Sequence, residues 1–397
     1  MTAAWRWLRE ANGVVVTVLA VACAAVLGGL LVAVADPATQ AAAGYFAARP
    51  LDTVTAGLRA AGSAYRALFE GAVLNPSTLS SGSFSAIAGS LSETVTLATP
   101  LILAGLSVAI AFRAGLFNIG AQGQIVLGAI AAGYAGFAWH LPDGLHLLVA
   151  LVAGMVGGAV WGGLAGLLKA RFGAHEVITT IMLNYIAVAL LGLLLSTAGF
   201  QRPPGTQAIS PVVDASARLP HLAGSGLRVH AGILLAVLAA AGVWWLTERS
   251  VVGFRLRAVG ANPSAARTAG MHVGRVTALV MALAGGLAGL AGACQVLGTN
   301  SAVTGDIDAG IGFDGITVAL LGRGRPGGTV AAGLLFGGLR AGGSYMQSAT
   351  SVPLDLVTVL QALIVVFVAA PTLVAALFRL RAVRSEVGTP QLAKGWG

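Results

Sequence analysis

The residues able to do chemistry are few, and their spacing excludes most reactions. Six histidines (His140, His146, His175, His221, His230 and His272) are dispersed, mostly at loops, and none shows metal-ligand spacing. Of the two lysines, Lys169 precedes alanine and Lys394 precedes glycine. A Gly-x-x-x-x-Gly-Lys-Ser/Thr phosphate loop is therefore absent, as are His-Glu-x-x-His and Gly-x-Ser-x-Gly. Cys23 and Cys294 lie far apart in apolar runs, without Cys-x-x-Cys spacing, and read as buried inert thiols. No catalytic residue, metal ligand or cofactor is expected in this chain.

What remains is neutral and polar. Residues 112–124 gather Arg113, Asn118, Gln122, Gln124 and three glycines between two apolar runs. Two arrangements suit such a segment: a tight polar turn, or irregular backbone lining a cavity, which membrane depth tolerates only where protein or water satisfies it. Residues 247–270 contain a short helix with clear punctuation. Asn262 suits the N-cap, Pro263 the first turn and Gly270 the stop. Two turns are not stable alone, so this helix needs a partner surface: lipid, as an interfacial helix, or a cytoplasmic protein, the preferred reading. Asn118, Gln122, Asn184, Gln295, Asn300 and Gln361 fall within apolar runs and are the candidates for a polar solute pathway. Each could equally hydrogen-bond another helix.

The elements that position these residues are set by composition. The 397 residues are 57% hydrophobic and 9% charged, with mean hydropathy +0.86. A soluble domain carries about 25% charged residues. The fold class is therefore an all-α polytopic membrane protein; aromatic content of 6% argues against a β-barrel. Ten spans are expected at 14–35, 93–112, 121–140, 146–168, 178–198, 230–247, 276–297, 308–322, 328–347 and 354–377, the eighth short. The start imitates a lipoprotein signal, with Arg6 and Arg9 before an apolar run and Ala-Val-Ala-Cys at 20–23. That run continues to Ala35, which favours an uncleaved first span.

With both termini cytoplasmic, the outer segments hold only Arg49, Arg59, Arg66, Arg202, Arg218 and Arg228. Apart from Arg340 inside a span, every other lysine and arginine falls to the inner side. This pattern organises the chain as a cytoplasmic segment with the first helix (1–35), an extracytoplasmic segment (36–92), a core (93–377) with its main inner loop at 248–275, and a cytoplasmic tail (378–397). The scattered arginines behind the net charge of +9 mark topology and predict no nucleic-acid partner. Almost all of the 14 carboxylates sit at span ends or in loops, with Glu93 and Asp314 the plausible membrane residents, which weighs against an ion-coupled secondary transporter.

Span four carries Gly154, Gly158, Gly162 and Gly166 on one helical face. Gly285 and Gly289 repeat the spacing in span seven, and Gly333, Gly337 and Ala341 do so in span nine. Such stripes let helix backbones approach closely.

The segments FRAGLFNIGAQGQ, HEVITTIMLNYIA, GFRLRAVGANPSAARTAGM and GFDGITVALLGRGRPGG occur in this order, and the chain from Glu93 to Pro371 resembles permease subunits of nucleoside-type ABC importers. This group lies within the branched-chain amino acid and ribose permeases. Gln122 stands where the family pattern carries Glu. The resemblance implies a nucleoside pathway in the bacterial cytoplasmic (inner) membrane, with a ribose-like sugar permease as the alternative. It implies that Gly260, Asn262, Pro263, Ala266, Arg267 and Gly270 belong to a coupling helix seated on a cytoplasmic ATP-binding subunit, which holds the ATP and magnesium. It further implies a second permease chain, an extracytoplasmic substrate-binding lipoprotein and contact with membrane lipid.

Overall fold

The computed structural model describes residues 13–224, 226–350 and 352–378. The expected cytoplasmic N-terminal segment with Arg6 and Arg9, and the tail with Arg379, Arg381, Arg384 and Lys394, lie outside the described residues. Among the described residues every regular element is helical. In chain order these are α1 (Gly13–Ala35), α2 (Pro37–Ala43), α3 (Pro50–Ala72), α4 (Phe84–Arg113), α5 (Ala121–Ala138), α6 (Leu145–Phe172), α7 (Glu176–Leu195), α8 (Gly232–Arg249), α9 (Val251–Ala261), α10 (Pro263–Thr268), α11 (Val273–Cys294), α12 (Ile311–Leu321), α13 (Pro326–Thr350), α14 (Asp355–Ala369) and α15 (Pro371–Leu377). Each expected span overlaps at least one of these helices. The tenth is broken at Ala370 and Pro371, where proline cannot continue the hydrogen-bond ladder. The eighth is short, at eleven residues.

Among the described residues, six candidate spans are long and apolar enough to cross a membrane: Val18–Ala35, Phe84–Arg113, Leu145–Phe172, Glu176–Leu195, Gly232–Arg249 and Val273–Asn300. Ile311–Leu321 and Asp355–Val368 are shorter apolar helices. α5 is absent from this set, and its sequence carries Gln122 and Gln124. It is buried along most of its length, so its polar groups meet protein.

The described residues divide into two compact units, one within Met1–Thr94 and Gly338–Gly397, the other Val95–Gly337. The first is built on α1, α3, the end of α13, and α14, around Ala20, Ala24, Ala64, Ala67, Leu360 and Ile364. The expected extracytoplasmic segment is mostly helical. Asp36 caps α2, accepting from Thr39 N at 2.8 Å. α3 lies along α1: its Tyr65 hydroxyl donates to the Ala25 carbonyl, and a Cβ at Gly57 would meet Ala33 Cβ at 3.1 Å. Residues 77–85 are rich in Ser and Thr, and a 3-10 turn, Pro76–Ser81, capped by Asn75, covers their first half.

The second unit is organised by small residues. Gly154, Gly158, Gly162 and Gly166 of α6 are all buried, while Val160 is 65% and Leu148 58% exposed on the same helix. This inverts a soluble helix, whose large apolar side chains face inward, and matches a helix whose outer face meets lipid. The glycine stripe faces α11. A Cβ at Gly154 would lie 2.8 Å from Ala293 Cβ, and one at Gly166 would lie 2.8 Å from Met281 Cβ. Between them, Gly158 meets the backbone of Gly285 and Gly289. The two predicted stripes are thus each other's partners in one antiparallel interface. The third packs separately, with Gly333 against Ile102 of α4.

Candidate functional site

Three polar groupings occupy the second unit. The first is a knot at the start of α5. Asn118 is fully buried; its Nδ2 donates to Gln124 Oε1 at 2.9 Å, and Gln124 Nε2 returns a bond to Asn118 Oδ1 at 3.0 Å. Asn118 also bonds Ser107 Oγ at 3.2 Å and accepts from Gly120 N at 3.1 Å. Asn184, on α7, reaches into the same turn. Its Oδ1 accepts from Gly123 N at 2.9 Å and its Nδ2 donates to Ile119 O at 2.9 Å. Gly123 is an orphan donor of the first helical turn, so Asn184 acts as a cap supplied by another helix. In this conformation the Asn118 and Asn184 amides are engaged with protein. Gln122 is only half-buried, and its backbone packs against Gly312 of α12.

An Asn184→Leu variant is expected to orphan the Gly123 N–H and the Ile119 carbonyl, at about 1–3 kcal/mol for each group left buried and unpaired. A lowered melting temperature in detergent checks this; an unchanged one removes the capping role.

The second grouping closes α11. Its last residues run into a π-helical turn, Gln295–Asn300, ending at Ser301 with φ +58°. Such turns free backbone groups and recur at functional sites. The segment 199–229, rich in Pro and Gly, supplies partners: Leu219 N donates to Leu297 O, Val213 N to Ser301 O and Ser210 N to Val303 O, each at 2.9 Å. Gln295 Oε1, Thr299 Oγ1 and His230 Nε2 are buried without a hydrogen-bond partner among the described residues, and the His230 ring lies directly against Gly298. Asn300 is exposed. Gln361 belongs to the other unit, where it is buried on α14. Sequence reading passed over His230 and Thr299. Their only signal was position, since a histidine beside a loop gives no hint of a ring seated on a distant glycine.

The third grouping is the loop 248–275. Asn262 caps α10 as expected, its Oδ1 accepting from Ser264 N and Ala265 N at 3.0 Å, and Gly270 takes φ +80°. Pro263, Ser264, Ala265, Arg267, Thr268 and Ala269 are exposed. Ala266 alone turns inward, 4% exposed, in a cluster with Leu256, Val259, Val276 and Met281. It therefore seats α10 on its own chain. Behind it, Gly260 rests on the backbone of the 113–116 turn: a Cβ there would lie 2.6 Å from Ala114 C, and Gly115 opposite adopts φ +68°. Arg113 fastens the same region, its Nε donating to Gly324 O at 2.9 Å and its guanidinium pairing with Glu248. A continuous set of contacts thus joins the α10 loop to the Asn118–Gln124 knot. Among the described residues no group of three His, Cys, Asp or Glu is placed to hold a metal ion.

Residues 90–369 match the family model described as branched-chain amino acid transport system / permease component. The chain is 44% identical over 281 residues to the guanosine ABC transporter permease protein NupP of Bacillus subtilis, covering 70% of this chain and 80% of that protein. It is 36% identical to the nucleoside ABC transporter permease protein NupB of Lactococcus lactis, over 71% of this chain and 79% of that one. It is 37% identical to the glucose ABC transporter permease protein TsgB13 of Haloferax volcanii, over 70% and 75%. No solved structure matches the chain.

Proposed function

Because the chain belongs to the branched-chain amino acid transport system permease family, we propose that it is a membrane-spanning subunit of an ABC importer carrying nucleosides across the bacterial cytoplasmic membrane. The observation carrying the substrate reading is the 44% identity to a guanosine permease. The 37% identity to a glucose permease supports a sugar as the second reading. In this proposal the chain crosses ten times with both ends cytoplasmic and pairs with a second, homologous permease chain. An extracytoplasmic binding lipoprotein delivers the solute. The chain carries no ATPase site; ATP and magnesium sit on a cytoplasmic subunit.

That subunit meets the exposed face of α10, whose ends are capped by its own sequence and whose inner side is held by Ala266. Each nucleotide state favours one permease conformation, and the differential binding drives alternation. The contacts from Gly260 to the 113–116 turn support transmission toward the α5 knot. Gln122, Gln295, Asn300 and Gln361 are proposed solute contacts, since neutral amides suit an uncharged polar ligand. Asn118 and Asn184 are proposed to line the same path, at present engaged with neighbouring helices.

The test is uptake of labelled guanosine by proteoliposomes holding the complete transporter, with other nucleosides, glucose and ribose as competitors. ATP-dependent uptake competed by other nucleosides is expected. Competition by glucose alone selects the sugar reading, and uptake without the ATP-binding subunit overturns both.

A further inference from the structure

A cavity of about 380 Å³ opens beside α10, between α9 and the first turns of α11. Its polar lining is basic: Arg255, His272 and Arg275, with no carboxylate. Neither Arg255 nor Arg275 has a side-chain hydrogen bond or ion pair among the described residues, and all three side chains belong to exposed residues. Arg113, by contrast, is paired with Glu248. His272 is the N-cap of α11, so the positive end of a long helix adds to the field.

The rest of the lining is apolar, including Val252, Met271 and Leu279. Leu279 is 44% exposed, and Phe254, next to Arg255, is 57% exposed. α11 is the start of the apolar stretch Val273–Asn300, so the cavity sits at the end of a membrane-crossing helix. Guanidiniums with no ion pair among the described residues, beside exposed apolar side chains at the end of an apolar helix, match a phosphate with hydrocarbon attached.

We propose that this cavity holds the phosphate of an anionic phospholipid from the cytoplasmic leaflet, its acyl chains lying over Leu279 and Phe254. Basic pockets at helix ends on this side of a membrane take such headgroups. An acidic side chain of a partner protein would use the arginines but not the exposed leucine and phenylalanine. The cytoplasmic assignment rests on the proposed orientation. The lipid site is read without transported solute, so its failure is separable from failure of the substrate reading.

The test uses the purified full transporter in detergent, titrated with phosphatidylglycerol, with phosphatidylcholine, or with inorganic phosphate. Melting temperature is followed, and retained lipid is identified by native mass spectrometry. Phosphatidylglycerol is expected to stabilise the protein and to be retained, while phosphatidylcholine has little effect. The Arg255→Gln/Arg275→Gln variant is expected to bind phosphatidylglycerol at least about tenfold more weakly. The Arg255→Lys/Arg275→Lys variant keeps the charge and most of the binding, which guards against a variant that misfolds. Equal response to both lipids overturns the proposal. So does full stabilisation by inorganic phosphate, which points to a soluble anion. Indifference of the full transporter to both lipids overturns it as well, and leaves the cavity to the bound ATP-binding subunit.

Discussion

A Gly158→Leu variant is expected to yield no folded protein. Gly158 lies where α6 and α11 cross backbone to backbone, and any Cβ there overlaps the carbonyl oxygen of Gly285. A flexible side chain could move aside, but this neighbour is the backbone of a helix held along its length by Gly154, Gly162 and Gly166. Only separation of the two helices makes room. Dispersion over that close contact is what holds helices together in lipid, where no hydrophobic driving force acts between them. The cost therefore exceeds the ~1–3 kcal/mol of ordinary overpacking. Gly158→Ala is expected to be intermediate. Gly192→Leu, on α7 with open space around its Cβ position, is expected to behave as the natural protein does. Size-exclusion profiles of the detergent-extracted variants check the series. A monodisperse Gly158→Leu protein at natural yield would remove the close-contact account.

The second large effect separates two adjacent alanines. Ala265→Arg is expected to leave folding intact and to lower ATP-driven uptake at least about tenfold, the loss of about 1.4 kcal/mol or more of productive coupling. Ala265 is exposed on α10, on the face proposed to meet the ATP-binding subunit. Ala266→Arg is expected to lower the melting temperature itself, because it drives an unpaired charge into the cluster with Leu256, Val259 and Met281. Melting temperature and uptake measured on both variants distinguish the roles. Full uptake by Ala265→Arg would show that this face of α10 does not carry the coupling contact.

That pair shows how far local pattern reaches. The cap, first turn and stop of α10 were legible at Asn262, Pro263 and Gly270, because helix punctuation acts over three or four residues. Which alanine faces inward was not, because it depends on α9 and α11. The same boundary runs through the polar candidates. Asn118, Gln122 and Asn184 were singled out for sitting in apolar runs, and the structure brings them to one turn. It also joins Gln124 to Asn118 and uses Asn184 to cap a helix sixty residues away in sequence. Residues 36–92 read as an external segment because they lie between the first two expected spans, with the N-terminus placed inside. Its α3 nevertheless packs along α1, since its small residues and Tyr65 share one face.

The chain's low charge and long apolar runs were enough to make it helical and membrane-spanning, because every backbone group in lipid must be satisfied within its own segment. The spacing of glycines was enough to say that certain helix faces come close, and the short motifs were enough to suggest the permease family. Tertiary structure alone decided that the stripes of α6 and α11 meet each other. It alone decided that the segment after α7 straps the π turn, and that Arg255 and Arg275 line a cavity without an ion pair among the described residues. These are contacts between segments far apart in sequence. Their energy depends on shape complementarity across a shared interface, which no periodicity within one helix encodes.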